Sequence, residues 1–161
     1  MTAFRASSHF GLGANRRDLK AAKAGPRDWV IGQLGEKHNV VIPGLLASQE
    51  LLQDYLVAQQ QRRMEKRTPS DESQTEDRKQ NLRRRSQRRA AENIMTRFAQ
   101  SVDSRSPVLE RLALFWSNHF TVSRARQPQI ATACCAFENE TIRQSLHGHF
   151  AEMLIRVTSH P

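Results

Sequence analysis

The chain has 161 residues and a formal net charge of +9, with 38% apolar and 6% aromatic residues. This length suits one ordinary domain with a modest hydrophobic core. The positive charge is local: residues 62–89 hold 11 Lys and Arg against 5 Asp and Glu, a net of +6, which leaves +3 on the other 133 residues. A nucleic-acid footprint spread over the whole fold is therefore not expected. The absence of aromatic residues between Tyr55 and Phe98 also disfavours base stacking.

The two cysteines, Cys134 and Cys135, are adjacent, and a disulfide between neighbours would be strained and would close no useful loop. We interpret them as reduced side chains buried in a helix, which slightly favours a cytoplasmic setting. No window approaches 18 consecutive apolar residues, and the N-terminus lacks the apolar stretch of a secretory signal. Neither a transmembrane helix nor a signal peptide is therefore predicted.

The first 35 residues predict short helices separated by glycine and proline. Asn15 is the predicted N-cap of a short helix, and Asp18 lies three residues later in the capping-box position. Gly25 and Pro26 end that helix and start the next, because glycine suits the position after a helix and proline suits the first helical position.

The middle of the chain is predicted to be a long, charged helical region. Residues 38–44 are expected to be extended or turn-like, residues 45–66 helical, and residues 68–77 linker-like. Residues 78–100 resume as a charged helix with few apolar anchors, which should pack along a thin stripe and be solvated elsewhere. We interpret residues 62–89 as a basic, partly linker-like segment within the domain.

The C-terminal third is predicted to be the best packed region. Ser106 and Pro107 form an N-cap and first-turn pair for a helix that reaches about His119. Apolar residues cover most of this helix, so it should be the most buried element. Residues 129–146 and 149–159 predict further helices. The sequence therefore predicts an all-α fold, an irregular array of about seven helices.

Most candidates for chemistry lie in this C-terminal third. His119 follows an apolar stripe near a helix C-terminus, which favours a buried, hydrogen-bonded structural histidine over a ligand or catalytic group. Glu138, Asn139, Glu140 and Arg143 form a polar cluster on the next helix. Helical spacing would let Asn139 or Glu140 pair with Arg143. We favour a buried structural network here over a functional site.

A weaker candidate is a divalent-metal site around a predicted helix break. His149 and Glu152 lie three residues apart and would share a helix face, and His147 adds a third group. His119 or His160 could complete the set of three or four ligands that zinc needs. Since neither H-E-x-x-H nor another recognised spacing is present, a helix break with polar flanks is the favoured interpretation.

A basic run on the charged helix could bind phosphates or an anionic surface. A solvated helix face is the commoner meaning of such a run, so binding of nucleic acid or of a membrane surface is the weakest interpretation. The members of the run are Arg83, Arg84, Arg85, Arg88 and Arg89.

Four segments of the chain follow one another in a specific order. Residues 10–14 read FGLGA, residues 26–34 contain PRDW and QL, residues 110–123 read ERLALFWSNHFTVS, and residues 137–161 read FENETIRQSLHGHFAEMLIRVTSHP. In this combination the chain resembles the N-terminal part of the bacterial family called domain of unknown function 1800. The last two segments are the specific ones.

The resemblance implies helical architecture and a bacterial origin but no chemistry, because the family has no established activity. It also implies a longer protein, so we expect residues 1–161 to be the truncated N-terminal part of one helical domain. Members usually carry His where this chain has Ser117, which disfavours a paired-histidine site with His119. The resemblance supports a network in which Asn118 and His119 join the polar cluster.

Three functions follow from these observations. We favour a helical scaffold or interaction role with a protein partner. The alternative is one wall of a metal-dependent or hydrolytic enzyme site, completed by a region outside this sequence, so whether the chain is catalytic stays open. The third function is binding of an anionic surface or nucleic acid through residues 78–89. The enzymatic alternative would use His119, Glu138, Asn139, His147, His149 and His160.

Overall fold

The computed structural model describes residues 1–35, 41–65, 72–122 and 128–160. In these ranges the regular elements are helices, which confirms the all-α prediction. Because α7, a π-helical turn and α8 follow one another without a break, they count as one helix, so the described ranges hold eight helices, close to the seven expected. The elements are α1 (Ala3–Phe10), α2 (Arg16–Ala22), α3 (Pro26–Gly35), α4 (Ser48–Glu65), α5 (Glu72–Asp103), α6 (Pro107–His119), α7 (Pro128–Phe137), the π turn (Glu138–Ile142), α8 (Arg143–Ser145) and α9 (Phe150–Ser159).

The helix starts predicted from local sequence are present. The Asn15 side chain accepts a hydrogen bond from the Asp18 N–H at 2.8 Å, which caps α2. Pro26 is the first residue of α3, and Pro107 is the first residue of α6. These starts depend on neighbouring residues alone, which is why the sequence was sufficient to locate them.

The N-terminal part of the fold packs α1, α2, α3 and α6 against one another. Its buried centre is small: Ala6 of α1, Val30 of α3 and Val108 of α6 meet there, and Trp29 packs against them while partly exposed. Most of the buried apolar side chains in the described ranges lie after residue 105. The C-terminal third therefore carries most of the core, as predicted.

Helix α5 is 32 residues long and packs along α7, and α4 also contacts α7. The long charged helical middle is thus confirmed, but α5 begins earlier than predicted. Residues 72–77 are helical rather than linker-like, and residues 68–71 of the predicted linker lie outside the described ranges. Ala90 of α5 is buried whereas Phe98 is exposed, so this helix packs along a thin stripe.

Side chains from other helices cap two helix ends. The Gln33 side chain accepts a hydrogen bond from the Val108 N–H at 3.1 Å, which satisfies one of the free donors at the start of α6. Arg17 donates to the carbonyl oxygens of Asp103 and Ser104 at the end of α5. Both caps join residues about 75 or more positions apart in sequence, so local patterns did not reveal them.

Helix α6 is buried in its first half only. Val108, Leu109 and Ala113 are buried, but Phe115 is exposed over 57% of its surface. The expectation that α6 is the most buried element is therefore wrong for its second half. Apolar residues on every side of a helix do not ensure burial, because neighbouring elements cover only part of its surface.

Candidate functional site

The polar cluster predicted on the last long helix lies in a π turn at the centre of the described fold. The turn contacts α6, α7, α8 and α9. Successive residues of the turn bond to different parts of the chain: Glu138 to α5, Asn139 to the segment before α4, and Glu140 to α4 and the end of α9. We call Glu138, Asn139, Glu140, Arg143 and Glu110 the π clasp.

The π turn changes which residues share a helix face. Its hydrogen bonds join residues five apart instead of four, so residues i and i+5 come together. Arg143 Nε accordingly donates to Glu138 Oε1 at 2.9 Å. Spacing in an α-helix predicted Asn139 or Glu140 as the partner, and this prediction was wrong: the residue that the π turn inserts brings Glu138, one position before Asn139, to Arg143.

The strongest contact of the π clasp joins Arg143 to α6. Its Nη1 and Nη2 donate to the two carboxylate oxygens of Glu110, each at 2.9 Å, and neither side chain is exposed. Burial lowers the pKa of Arg143, but the hydrogen bonds and charge of Glu110, followed by those of Glu138, raise that pKa above its ordinary value. The guanidinium is therefore charged and held in a bidentate pair.

Sequence reasoning missed Glu110 as a member of this cluster. Glu110 lies three residues before the buried Ala113, which places it on the inward face of α6. A carboxylate at an inward position requires a buried partner, because an unpaired buried charge is strongly unfavourable. That spacing was the available signal.

A second arginine completes the charge balance. Arg97 of α5 donates from Nε to Glu138 Oε2 at 2.7 Å, so Glu138 lies between two guanidinium groups. Ser101, one turn after Arg97, donates to Glu110 Oε2 at 3.4 Å. The chain of contacts Arg97–Glu138–Arg143–Glu110 holds two positive and two negative groups and joins α5, the π turn, α8 and α6.

Asn139 bonds to backbone rather than to a charge. Its Oδ1 accepts a hydrogen bond from the Ile42 N–H at 2.7 Å, and its Nδ2 donates to the Ile42 carbonyl at 3.1 Å. Ile42 is 2% exposed and belongs to no helix, so its backbone groups need partners that regular structure does not supply. Asn139 supplies both.

Glu140 bonds to the start of α4 and to the end of α9. Its Oε1 accepts the Ser48 N–H at 2.7 Å, and its Oε2 lies 2.8 Å from His160 Nε2. Partial burial raises the pKa of Glu140, but the Ser48 N–H and His160 together hold that pKa below its ordinary value. The carboxylate is therefore ionised near neutral pH and caps α4 from outside that helix.

Ser48, His160 and Glu140 are the residue types of a hydrolytic triad, but their geometry differs from one. Ser48 Oγ lies 3.1 Å from His160 Nε2, and Glu140 Oε2 approaches the same nitrogen. In a triad the nucleophile and the carboxylate bond to different ring nitrogens of the histidine. One nitrogen then exchanges a proton with the nucleophile, while the bond from the other nitrogen to the carboxylate orients the ring. Here hydroxyl and carboxylate share one nitrogen, an arrangement that fastens α9 to α4.

His119 and Asn118 lie outside the π clasp, and both are exposed at the end of α6. The expectation of a buried His119 is therefore wrong, because the elements around the end of α6 leave the His119 side of the helix exposed. The His119 ring instead contacts Trp116 and Phe120, with ring centres 5.6 and 4.9 Å away. Ser117 donates to the carbonyl of Ala113 at 2.8 Å, a bond within the helix.

The proposed metal ligands do not come together. His147, His149 and Glu152 are exposed at the start of α9, whereas His160 lies at its other end, about 15 Å away at 1.5 Å per residue. His160 contacts Glu140 and Ser48 instead. Within the described ranges there is no group of three or more His, Cys, Asp or Glu that could hold a metal ion.

The basic run lies on the exposed surface of α5. Arg88 forms an ion pair with Glu92 at 3.0 Å, and Arg89 forms one with Asp54 of α4 at 2.8 Å. Arg84 and Arg85 are exposed and have no carboxylate partner in the described part of the chain. The side chain of Arg83 falls outside what the structure describes.

The sequence and fold were compared with known protein families, curated proteins and solved structures. A family model described as "Protein of unknown function (DUF1800)" matches residues 5–161. The chain belongs to this family. The match includes the charged middle of the DUF1800 chain, which the four sequence motifs did not reach. Neither the search of curated proteins nor the search of solved structures found a match. None of the described helices is long and apolar enough to cross a membrane.

Proposed function

We propose that this DUF1800 chain is a helical scaffold that acts through contact with a partner rather than by catalysis. The observation that carries the proposal is how the π clasp uses its polar groups. Both carboxylate oxygens of Glu110, Glu138 and Glu140 bond to groups of the chain itself, as does the amide of Asn139. A group that bonds in this way holds helices together and is poorly placed to bind a substrate.

Exposed apolar side chains support the second half of the proposal, contact with a partner. Phe98 on α5, Phe115 on α6 and Phe150 on α9 are each at least half exposed. Large exposed apolar groups that lie together on a surface are typical of interaction sites. Trp116, Phe120 and Phe150 do lie together, with ring centres 5.4 to 6.3 Å apart.

A metal-dependent stability measurement tests the scaffold against the enzymatic alternative. The thermal unfolding midpoint of the full chain would be measured with a chelator, with Zn²⁺ and with Mg²⁺, because a bound ion stabilises the folded state. The same measurement would be made on the His147→Ala/His149→Ala variant and on His9→Ala, an exposed-histidine control. The scaffold proposal predicts that neither metal raises the midpoint in any of the three proteins.

A midpoint that rises with one metal in the unaltered chain and in His9→Ala, but not in the double variant, would overturn the proposal. The histidines around Gly148 would then be ligands, and the enzymatic alternative would replace the scaffold. A midpoint that rises equally in all three proteins would place a metal site elsewhere in the chain, and this outcome also contradicts the prediction that neither metal stabilises the protein.

A further inference from the structure

Helix α5 carries a continuous stripe of exposed side chains. Its members are spaced alternately by four and three residues, the spacing of the a and d positions in a coiled coil. The stripe is about 27 Å long at 1.5 Å per residue, or five turns. We call this stripe the α5 seam; it consists of Arg84, Arg88, Ala91, Met95, Phe98 and Val102, all exposed.

A different face of the same helix packs against the rest of the described structure. Ala90 is buried, and Arg97 and Ser101 bond to the carboxylates of the π clasp. At 3.6 residues per turn, these positions lie about 120° around the helix from the α5 seam. Helix α5 thus has two sides with coiled-coil spacing, and within the described ranges only the inward one is packed.

The α5 seam changes chemistry along its length. Its first two turns are basic, and Arg85 adds a further exposed charge beside Arg84. Its last three turns are apolar, with Met95 and Phe98 each 64% exposed and Val102 59% exposed. A partner that fits the whole stripe must therefore offer acidic groups opposite the first part and apolar groups opposite the second.

We propose that the α5 seam binds an amphipathic helix of a partner protein whose own seam is acidic at one end and apolar at the other. This inference rests on the scaffold function proposed above and names its partner class. A helix is the natural occupant because its side chains repeat at the same alternation of four and three, so that knobs of one helix enter holes of the other. Complementary charge at the basic end sets the register.

Two other occupants fit less well. A helix that lies on a membrane surface has an apolar face along its whole length, with basic residues at the flanks of that face. In the α5 seam, by contrast, a basic part is followed by an apolar part along one face. A second copy of α5 packed in parallel would place Arg84 against Arg84, and one packed antiparallel would place Arg84 against Val102. Neither supplies the acidic groups.

Binding of synthetic helices tests the proposal. The probes are fluorescent peptides about four heptads long, with leucine at the a and d positions of one half and glutamate at those of the other. Two probes carry the acidic half first or last, so that both parallel and antiparallel docking are sampled. Matched probes carry lysine in place of the seam glutamates. Binding to the full chain is measured by fluorescence anisotropy.

We expect one acidic probe to bind and the lysine probes to bind far more weakly. Phe98→Ser should weaken binding by about tenfold or more, the usual effect of losing an aromatic anchor. Phe4→Ser is the matched control, because Phe4 is 63% exposed on α1 and Phe98 is 64% exposed. Arg84→Glu should reverse the preference toward a lysine probe, and Lys20→Glu on α2 should leave it unchanged. Unaltered thermal midpoints would show that these variants fold.

The proposal fails if no acidic probe binds, if the lysine probes bind equally well, or if Phe98→Ser and Phe4→Ser behave alike. It also fails if Phe98→Ser abolishes binding to vesicles of anionic lipid while no probe binds, which would make the seam a membrane-surface element. Self-association in sedimentation that Phe98→Ser removes would assign the seam to a second copy. These outcomes leave the scaffold proposal standing, because the metal measurement tests it separately and its partner contact is supported by Trp116, Phe120 and Phe150.

Discussion

Two arginine–glutamate pairs in this molecule have nearly the same geometry and opposite surroundings. Arg143 and Glu110 approach to 2.9 Å and are 0% exposed, whereas Arg88 and Glu92 approach to 3.0 Å and are 83% and 61% exposed. The N–O distance therefore says little about what each pair does. Burial decides, because water screens the exposed pair and has been removed from the buried one.

Removal of water is unfavourable for the charges of the π clasp. The buried charges lose their hydration, a cost that the attraction between them can only offset when every charged oxygen and nitrogen has a partner. The clasp meets that condition through bonds to α5, α6 and α4. The basic run of α5 keeps its hydration, so its arginines contribute little to folding and remain available to a partner.

Arg143→Met gives the largest effect that we expect. It leaves Glu110 fully buried without its bidentate partner and Glu138 without one of its two, so the free energy of unfolding should fall by about 3–5 kcal/mol. Urea unfolding followed by circular dichroism measures this change. The full chain should be used, since the partners of Arg143 come from several helices.

A double variant separates the cost of an unpaired charge from the loss of packing. Glu110→Leu/Arg143→Met removes both buried charges of the bidentate pair and should be more stable than Arg143→Met alone. If the double variant is no more stable than the single one, the comparison between buried and exposed pairs is wrong, and the arginine matters through its volume instead.

Asn139→Ala extends the comparison between buried and exposed groups to an uncharged side chain. It leaves the buried N–H and carbonyl of Ile42 without partners, so the free energy of unfolding should fall by about 1–3 kcal/mol. Asn118→Ala is the matched control, because Asn118 is exposed at the end of α6 and its replacement should change little. Equal losses in the two variants would show that burial does not control the cost.

How much of this fold was predictable depends on whether local sequence or distant contacts control each feature. Asn15 and Pro26 mark helix starts through their neighbours alone, so these positions were predicted correctly. The π turn was missed, because no residue near Glu138 signals an inserted residue in advance. The pairing of Arg143 with Glu110 spans 33 positions and requires the packing of α6 to be known first.

The sequence predicted which residues form the polar cluster, but it did not predict several of their contacts. Glu138, Asn139, Glu140 and Arg143 were recognised as a group because they lie within two turns of one helix. Their partners could not be recognised, since helical periodicity places a side chain on a face without saying what lies opposite. His119 was misplaced for the same reason.

Glu140→Gln should produce a smaller, pH-dependent effect. The pKa of Glu140 is lowered in the folded chain, so its carboxylate adds stability above the unfolded value of 4.5, and this stability is lost as pH falls through the folded pKa. The unaltered chain should therefore be more stable than Glu140→Gln near pH 7, and the difference should shrink below about pH 4.5. Unfolding free energies measured between pH 7 and pH 3 provide the check.

Glu152→Gln supplies the control for this pH profile, because Glu152 is exposed on α9 and takes no part in the clasp. Its difference from the unaltered chain should stay small and nearly constant across the same pH range. A Glu140→Gln difference that grows as the pH falls would contradict the sign of the shift, and with it the assignment of an ionised carboxylate capping α4.

Arg88→Ala should have the smallest effect. The Arg88–Glu92 pair spans one turn of α5 in full contact with water, where such pairs stabilise a helix by about 0.5 kcal/mol or less. That contribution should disappear at 1 M salt, where charges are screened within about 3 Å, whereas the loss in Arg143→Met should remain. A double-mutant cycle of Arg88→Ala and Glu92→Ala isolates the pair. If its coupling approaches the loss in Asn139→Ala, exposure to water does not weaken the pair. The basic run would then belong to the scaffold itself and would be less available to a partner.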